Sequence, residues 1–259
     1  GQWHSWELCD PITNKPRQAT WEEAVNMAKL SESLGAKGDP IPIAPGNINP
    51  RHNTLISEKI ALIHTRNLGG KLTATDSEEI KIISQMYKAA GRKYTLGLEG
   101  MISPLKLNPK TMDTYFEWCD DPDIDINIMG IIPMAGATTP LVFPANLSLL
   151  LAETLALDYV MYTLSDGKLG SIYLRLDPFD FKDGNVVFGS PEWCLYRQVI
   201  AELWEGLIGK PMLGGSFRSN SKTVDPQSMM ERTASALWQA ILGARNFWAV
   251  GQLSLDEVY

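Results

Sequence analysis

Cysteine is scarce in this sequence: Cys9, Cys119 and Cys194 are the three among 259 residues, far apart and with no C-x-x-C spacing. An odd, scattered set argues against a disulfide framework and suits a reducing compartment, so a cytoplasmic location is expected. Histidine is as sparse. His4, His52 and His64 stand in no H-E-x-x-H or cysteine-histidine arrangement, so no metal site is expected. Basic residues are outnumbered 23 to 30 by acidic ones, for a net charge of -7 and a pI near 5.1. Nucleic acid and anionic membranes need a concentrated basic surface, so neither is expected as a partner. No apolar run approaches the roughly 18 residues of a membrane span, and the start Gly1-Gln2-Trp3-His4-Ser5-Trp6 lacks a basic-then-apolar signal layout. Leu147 to Leu157 is apolar but carries Glu153, and reads as a buried helix. No G-x-G-x-x-G follows a strand-like run, which leaves a dinucleotide-binding sheet without support.

What is present is the balance of a globular chain with a substantial core, 44% hydrophobic and 20% charged. Strand-like and helix-like runs alternate along it. Thr20 with Glu23 forms a capping-box signature for a helix to about Leu34. Pro40-Ile41-Pro42-Ile43-Ala44 reads as a first strand, followed by a helix from Asn53 to Asn67. Lys71 to Thr75 is the second strand, and Asp76 caps a helix to about Ala90. Tyr94 to Gly100 is the third, and Asn108-Pro109 opens a helix through Trp118. Ile124 to Ile132 is the fourth, before a long helix from Pro144 to Tyr162. Ser171 to Leu176 is the fifth, and Ser190 caps the next helix with Pro191 in its first turn. Pro211 to Ser216 and Asn246 to Val250 are the sixth and seventh, separated by a helix from Pro226 to Gly243.

Strands alternating with helices of ten or more residues imply crossover units and a parallel sheet. Seven units in a length close to the ~250 residues of a β/α barrel predict one domain, residues 1–259, forming a TIM-type (β/α)8 barrel without its closing unit. The chain ends at Leu255 to Tyr259 directly after a strand and loop, which motivates the missing eighth unit. The most distinctive motif is Gly130-Ile131-Ile132-Pro133-Met134-Ala135-Gly136-Ala137-Thr138-Thr139-Pro140. After a barrel strand such a run faces the active end, where small residues let a ligand approach backbone donors. It reads equally as a tight glycine turn with capping threonines.

This run, together with Ala145 to Leu157, Phe188-Gly189-Ser190-Pro191-Glu192 and Asp225-Pro226-Gln227, resembles the trimethylamine methyltransferase family of corrinoid-dependent enzymes. The likeness covers nearly the whole chain, and Met134 to Pro140 is its most specific piece. The resemblance implies a β/α barrel and a corrinoid (cobalamin) carried by a cognate partner protein rather than bound tightly by this chain. Founding members of the family carry pyrrolysine early in the helix that here begins near Pro226, and the matching position is Met230. A thioether cannot form the covalent amine adduct attributed to pyrrolysine. The chain is therefore similar to the non-pyrrolysine branch, which includes glycine betaine:corrinoid methyltransferases.

A quaternary ammonium already has a neutral amine as leaving group, so a Co(I) nucleophile takes its methyl without prior activation, and catalysis reduces to positioning. No acid or base is assigned. A fixed cation without strong donors suits aromatic faces and a carboxylate. Glu99 after the third strand, Phe179 after the fifth and Phe217 after the sixth are the candidates, although each residue type at such a place is more often packing or a solvated loop. A substrate carboxylate suits a guanidinium fork, for which Arg175 and Arg218 stand at the right strands. Arg175 serves equally as an ion-pair partner of Asp177, and Arg218 as an exposed residue. Met134, Thr138, Thr139 and Met230 complete the candidate substrate site. Met229, Met230, Leu237 and Ile241 share one helix side, a spacing usual for core, but the first turn with Met230 opens toward the active face. His52 follows the first strand and can face the site, whereas His64 reads as structural. The rival readings are a barrel that binds a quaternary amine without transferring its methyl, a methyltransferase acting on a tertiary amine, and an unrelated barrel enzyme using Lys71 as a Schiff base. The choice of methylated amine and the oligomeric state, including a homo-oligomer, stay open.

Overall fold

The computed structural model describes residues 7–35, 45–66, 76–130, 133–168, 174–209, 214–248 and 253. The first and second expected strands, Pro40 to Ala44 and Lys71 to Thr75, lie outside them, as do His4 and the final residues 254–259.

In chain order the elements begin with β1 (Leu8–Cys9), β2 (Pro16–Arg17), α1 (Trp21–Ser33), α2 (Asn53–His64) and α3 (Ser77–Ala89). Next come β3 (Tyr94–Glu99), the short β4 (Met101–Ile102) and β5 (Lys106–Leu107), α4 (Pro109–Trp118) and β6 (Ile124–Met129). The remainder are β7 (Met134–Ala135), α5 (Phe143–Leu164), β8 (Asp177–Asp180), β9 (Asn185–Val186), α6 (Pro191–Ile208), β10 (Gly214–Ser216), α7 (Pro226–Ile241) and β11 (Asn246–Trp248). Local chemistry sets the helix starts. Thr20 Oγ1 accepts the Glu23 N–H while the Glu23 carboxylate takes the Thr20 N–H. Asp76, Ser190 and Asp225 each accept an N–H three residues on. Pro109, Pro191 and Pro226 occupy first-turn positions that lack an intrahelical acceptor anyway.

The chain divides into two compact units. The first holds β1, β2, α1 to α4, β3 and β6. In it Ala24 and Ala28 of α1 pack on Ile60 of α2, and the Tyr87 hydroxyl of α3 donates to the buried Glu58 of α2 at 2.7 Å. Strands β3 and β6 pair in parallel over six positions, from Tyr94↔Ile124 to Glu99↔Met129, with α4 between them in sequence. The second unit holds the β4–β5 hairpin and everything from β7 to β11. Here β7 pairs in parallel with β8, β8 turns back antiparallel on β9, and β10 pairs in parallel with β11. Its core is Leu150 of α5, Leu174, Leu176 and Ile200 of α6. The β4–β5 hairpin is tied to α5 by Glu153, whose carboxylate accepts from Ser103 Oγ at 3.0 Å and from the Leu105 N–H at 2.5 Å.

Three expectations change. The fifth strand does not run through Leu174 to Leu176; the paired segment starts at Asp177. The alternating leucines mark burial in the α5–α6 core, and alternation reports burial as readily as pairing. The fourth strand stops at Met129, and Met134–Ala135 forms a separate strand. Finally, the apolar run Leu147 to Leu157 belongs to a 22-residue helix of which only 28% of the most apolar stretch is buried. Among the described residues α5 is the one helix long and apolar enough to cross a membrane by length and composition.

Candidate functional site

The glycine-threonine run closes on itself. Gly136 adopts φ +88, and a Cβ there would meet the Phe181 ring at 2.6 Å, so only glycine fits the turn. The Thr138 hydroxyl accepts the Met134 N–H at 2.9 Å, and the Thr139 hydroxyl donates to the Met134 carbonyl at 3.1 Å. That carbonyl also accepts the N–H groups of Ala137, Thr138 and Thr139. Both threonines thus hold the turn, and their polar atoms are engaged by Met134.

Beside the turn, Met134 of β7 is the neighbour of Asp177 in β8. Asp177 is fully buried and gathers three donors. Arg175 Nε reaches Oδ2 at 2.7 Å, Trp193 Nε1 reaches Oδ1 at 3.0 Å, and Arg197 Nη2 makes a second, short contact to Oδ1. Burial pushes the Asp177 carboxyl up, but the charges of Arg175 and Arg197 and their hydrogen bonds outweigh it, so it titrates below the usual carboxylate range. Phe188 is the apolar centre of this cluster. The Arg175 and Arg218 guanidiniums lie 5.8 and 5.6 Å from its ring centroid, Arg197 lies 4.8 Å from that of Trp193, and Met134 packs against the Val186, Phe188 and Trp193 group. Burial also raises the Cys194 thiol.

The loop before α7 is locked to the same region. Asn220 accepts the Phe188 N–H and donates to the Val186 carbonyl, both at 2.5 Å, and its own N–H goes to Glu231 of α7 at 2.8 Å. Gly189, at φ +70, sits where a Cβ would lie 2.5 Å from that of Glu231. The Ser228 N–H, followed by the Ser221 hydroxyl, holds Asp225 below its ordinary value. Deeper in α7, Gln239 accepts the Ser216 N–H at 3.0 Å and donates to the Ser216 carbonyl at 2.9 Å, completing the edge of β10.

Of the candidate residues, Met134, Thr138, Thr139, Arg175 and Arg218 converge around the turn and Phe188. Arg218 is buried rather than exposed, and Arg175 forms the ion pair with Asp177 that was one of its two readings. Phe179 and Phe217 are half-buried and paired with other rings, at 5.3 Å from Phe181 and 5.0 Å from Phe247. Glu99 lies in the first unit, where its carbonyl accepts from Thr111 Oγ1 at 2.5 Å. Met230 is 68% exposed. The core reading of the rest of that helix side is corrected: Met229, Leu237 and Ile241 are exposed too, and α7 buries Ser228, Ser235 and Gln239 instead. Polar residues face inward because each has a backbone or capping partner there. Arg197, Trp193 and Asn220 were not singled out from sequence. Arg197 had a signal, since it follows Trp193 by four residues and precedes Ile200 by three on an otherwise apolar helix side. His52 is exposed and His64 half-buried. Among the described residues no group of three or more His, Cys, Asp or Glu is placed to hold a metal ion.

Comparison with known proteins adds a family match. The family described as Trimethylamine methyltransferase (MTTB) matches residues 12–252. A glycine betaine methyltransferase of Desulfitobacterium hafniense is 28% identical over 244 residues, covering 89% of this chain and 49% of that protein. Trimethylamine methyltransferases of Methanosarcina thermophila and Methanosarcina barkeri are 27% and 29% identical, over 52% of this chain and 28% and 27% of their own length. The chain spans about half, or less, of the length of these relatives.

Proposed function

The chain belongs to the trimethylamine methyltransferase family, and from that premise we propose that it moves a methyl group from a quaternary amine, glycine betaine or a close relative, to the Co(I) corrinoid of a partner protein. The observation that carries the reading is the family match from residue 12 to 252 combined with methionine at position 230, where the resemblance puts pyrrolysine in the founding members. The likeness to a glycine betaine methyltransferase over 89% of the chain supports the same substrate class.

We further propose that the fold is of the β/α barrel type. Three parallel pairs, β3 with β6, β7 with β8 and β10 with β11, each enclose a helix in sequence, which is the repeating crossover of that fold.

In the proposed reaction the bond between nitrogen and one methyl carbon breaks, its electron pair stays on nitrogen, and a neutral tertiary amine leaves. The corrinoid supplies the nucleophile, and the work of this chain is to hold the cation in line. Phe179 and Phe217 are aromatic surfaces for the ammonium. Arg218 is the guanidinium for a substrate carboxylate, with Arg175 beside the same ring. The Gly136 turn, tied down by Thr138 and Thr139, holds Met134 against this cluster. Met230 is a further contact.

The test is to mix the purified protein with a cognate corrinoid protein in the Co(I) state and a panel of betaines and methylamines, following corrinoid absorbance. Methylation with a quaternary amine, and none with trimethylamine, is the expected result. Absence of methylation with every donor rejects the activity. Methylation by trimethylamine alone favours the tertiary-amine relatives instead.

A further inference from the structure

One face of α5 is out of keeping with a solvated helix. The buried residues Asn146, Leu150, Glu153, Leu157 and Met161 occupy one side. On the opposite side Ala145, Ser148, Ala152, Leu155, Tyr159 and Tyr162 follow one another at spacings of three, four, three, four and three. This is the period of a helix-pairing seam, and all six are exposed, with Leu155 at 47%, Tyr159 at 73% and Tyr162 at 58%. No charged residue interrupts the seam. The hydroxyl of Ser148 donates to the Pro144 carbonyl at 2.9 Å, so its donor is satisfied within the helix.

The order of sizes says what covers it. The N-terminal half is small, the C-terminal half large. When two copies of α5 cross antiparallel about a point between Ala152 and Leu155, Leu155 meets Ala152, Tyr159 meets Ser148 and Tyr162 meets Ala145, and every large side chain faces a small one. The same register holds in both directions, as a two-fold interface requires. A parallel pairing would set Tyr159 and Tyr162 against their own copies. Tyrosine suits such a seam because its ring is buried while its hydroxyl reaches water at the edge. The seam offers roughly 500 Å² per copy, about 1,000 Å² for the pair, which is what a specific interface must clear before any rim contributes.

We propose that the exposed face of α5 is the self-association surface of this protein, occupied by α5 of a second copy in antiparallel register. The inference is independent of the methyl-transfer reading. It is tested by sedimentation velocity of the purified protein over a concentration series. The expected result is a dimer whose dissociation constant rises about 100-fold on Tyr159→Glu, because each interface receives the unpaired charge twice. The melting curve of the dissociated variant should match that of the wild type diluted below its dissociation constant. Ser148→Arg should weaken the dimer similarly, and the double variant Ser148→Arg/Tyr159→Glu should restore it, since positions 148 and 159 face each other only in the antiparallel register. A monomer at every concentration, a Tyr159→Glu variant that still dimerises, or a double variant without rescue would overturn the proposal. So would a monomer in which Tyr159→Glu lowers the melting temperature, which would mean that the face is covered by the protein's own chain. Binding to phosphatidylcholine vesicles that Tyr159→Glu abolishes would likewise overturn it in favour of a lipid surface.

Discussion

Replacing Asp177 by asparagine isolates what the buried charge cluster contributes. In the native protein the two carboxylate oxygens are shared by Arg175 Nε, Arg197 Nη2 and Trp193 Nε1, and no part of Asp177 reaches solvent. Asparagine keeps the shape but removes the charge, and points an N–H where an acceptor stood. Removing one partner of a buried pair costs about 3–5 kcal/mol, because the opposite charge stays behind without compensation. Two guanidiniums are affected here, so the upper half of that range is expected, against a total stability of roughly 5–15 kcal/mol for an ordinary domain. Urea denaturation at neutral pH, followed by tryptophan fluorescence and circular dichroism, measures the loss. Replacing the group as a whole, Arg175→Met with Asp177→Leu and Arg197→Met, should recover most of it, since the cost lies in the uncompensated charge. The pH dependence has a definite sign. The Asp177 carboxyl titrates below its ordinary value, so its contribution is present above the unfolded-chain value near 3.9 and is lost as pH falls through the native value. The wild type should lose stability steeply in acid, and Asp177→Asn should lose less over the same interval. A destabilisation under about 1 kcal/mol, or an unchanged acid limb, would refute the assignment of Asp177 as the anchor of the cluster.

Gly189→Ala should cost about 2–4 kcal/mol in thermal or urea unfolding, because the new methyl meets the Glu231 backbone and side chain at a left-handed φ. Gln239→Leu should cost a similar 2–4 kcal/mol, since it strands the N–H and C=O of Ser216 that the amide now completes; Gln239→Glu, which keeps only the acceptor, should fall between. Glu153→Ala should free the β4–β5 hairpin from α5, read as faster limited proteolysis between Met101 and Leu107 and a loss of about 2 kcal/mol.

The helix starts were legible because their causes are local. Thr20, Asp76, Ser190 and Asp225 satisfy N–H groups three residues away, and a proline follows Ser190 and Asp225 at once. The expected strands were less well placed, because an apolar alternation such as Leu174 to Leu176 reports burial, whereas pairing depends on a partner distant in sequence. The candidate site was legible in part. Met134, Thr138 and Thr139 do form one constructed turn, and Arg175 and Arg218 do approach one ring. What sequence concealed was that Arg197, Trp193 and Asn220 join them, from a helix and a loop that composition does not connect to β8.

By itself, the amino-acid sequence determined the alternation of helices with short strands, the caps that start them and the family to which the chain belongs, since each rests on neighbouring residues or on a continuous motif. The tertiary structure alone decided which side of each helix is inside. α7 turns its serines and Gln239 inward and its methionines outward, and α5 leaves a stripe of alanine, serine, leucine and tyrosine exposed. Periodicity shows that a helix has two unlike faces. Which of them is buried depends on the partner groups that distant segments bring to it.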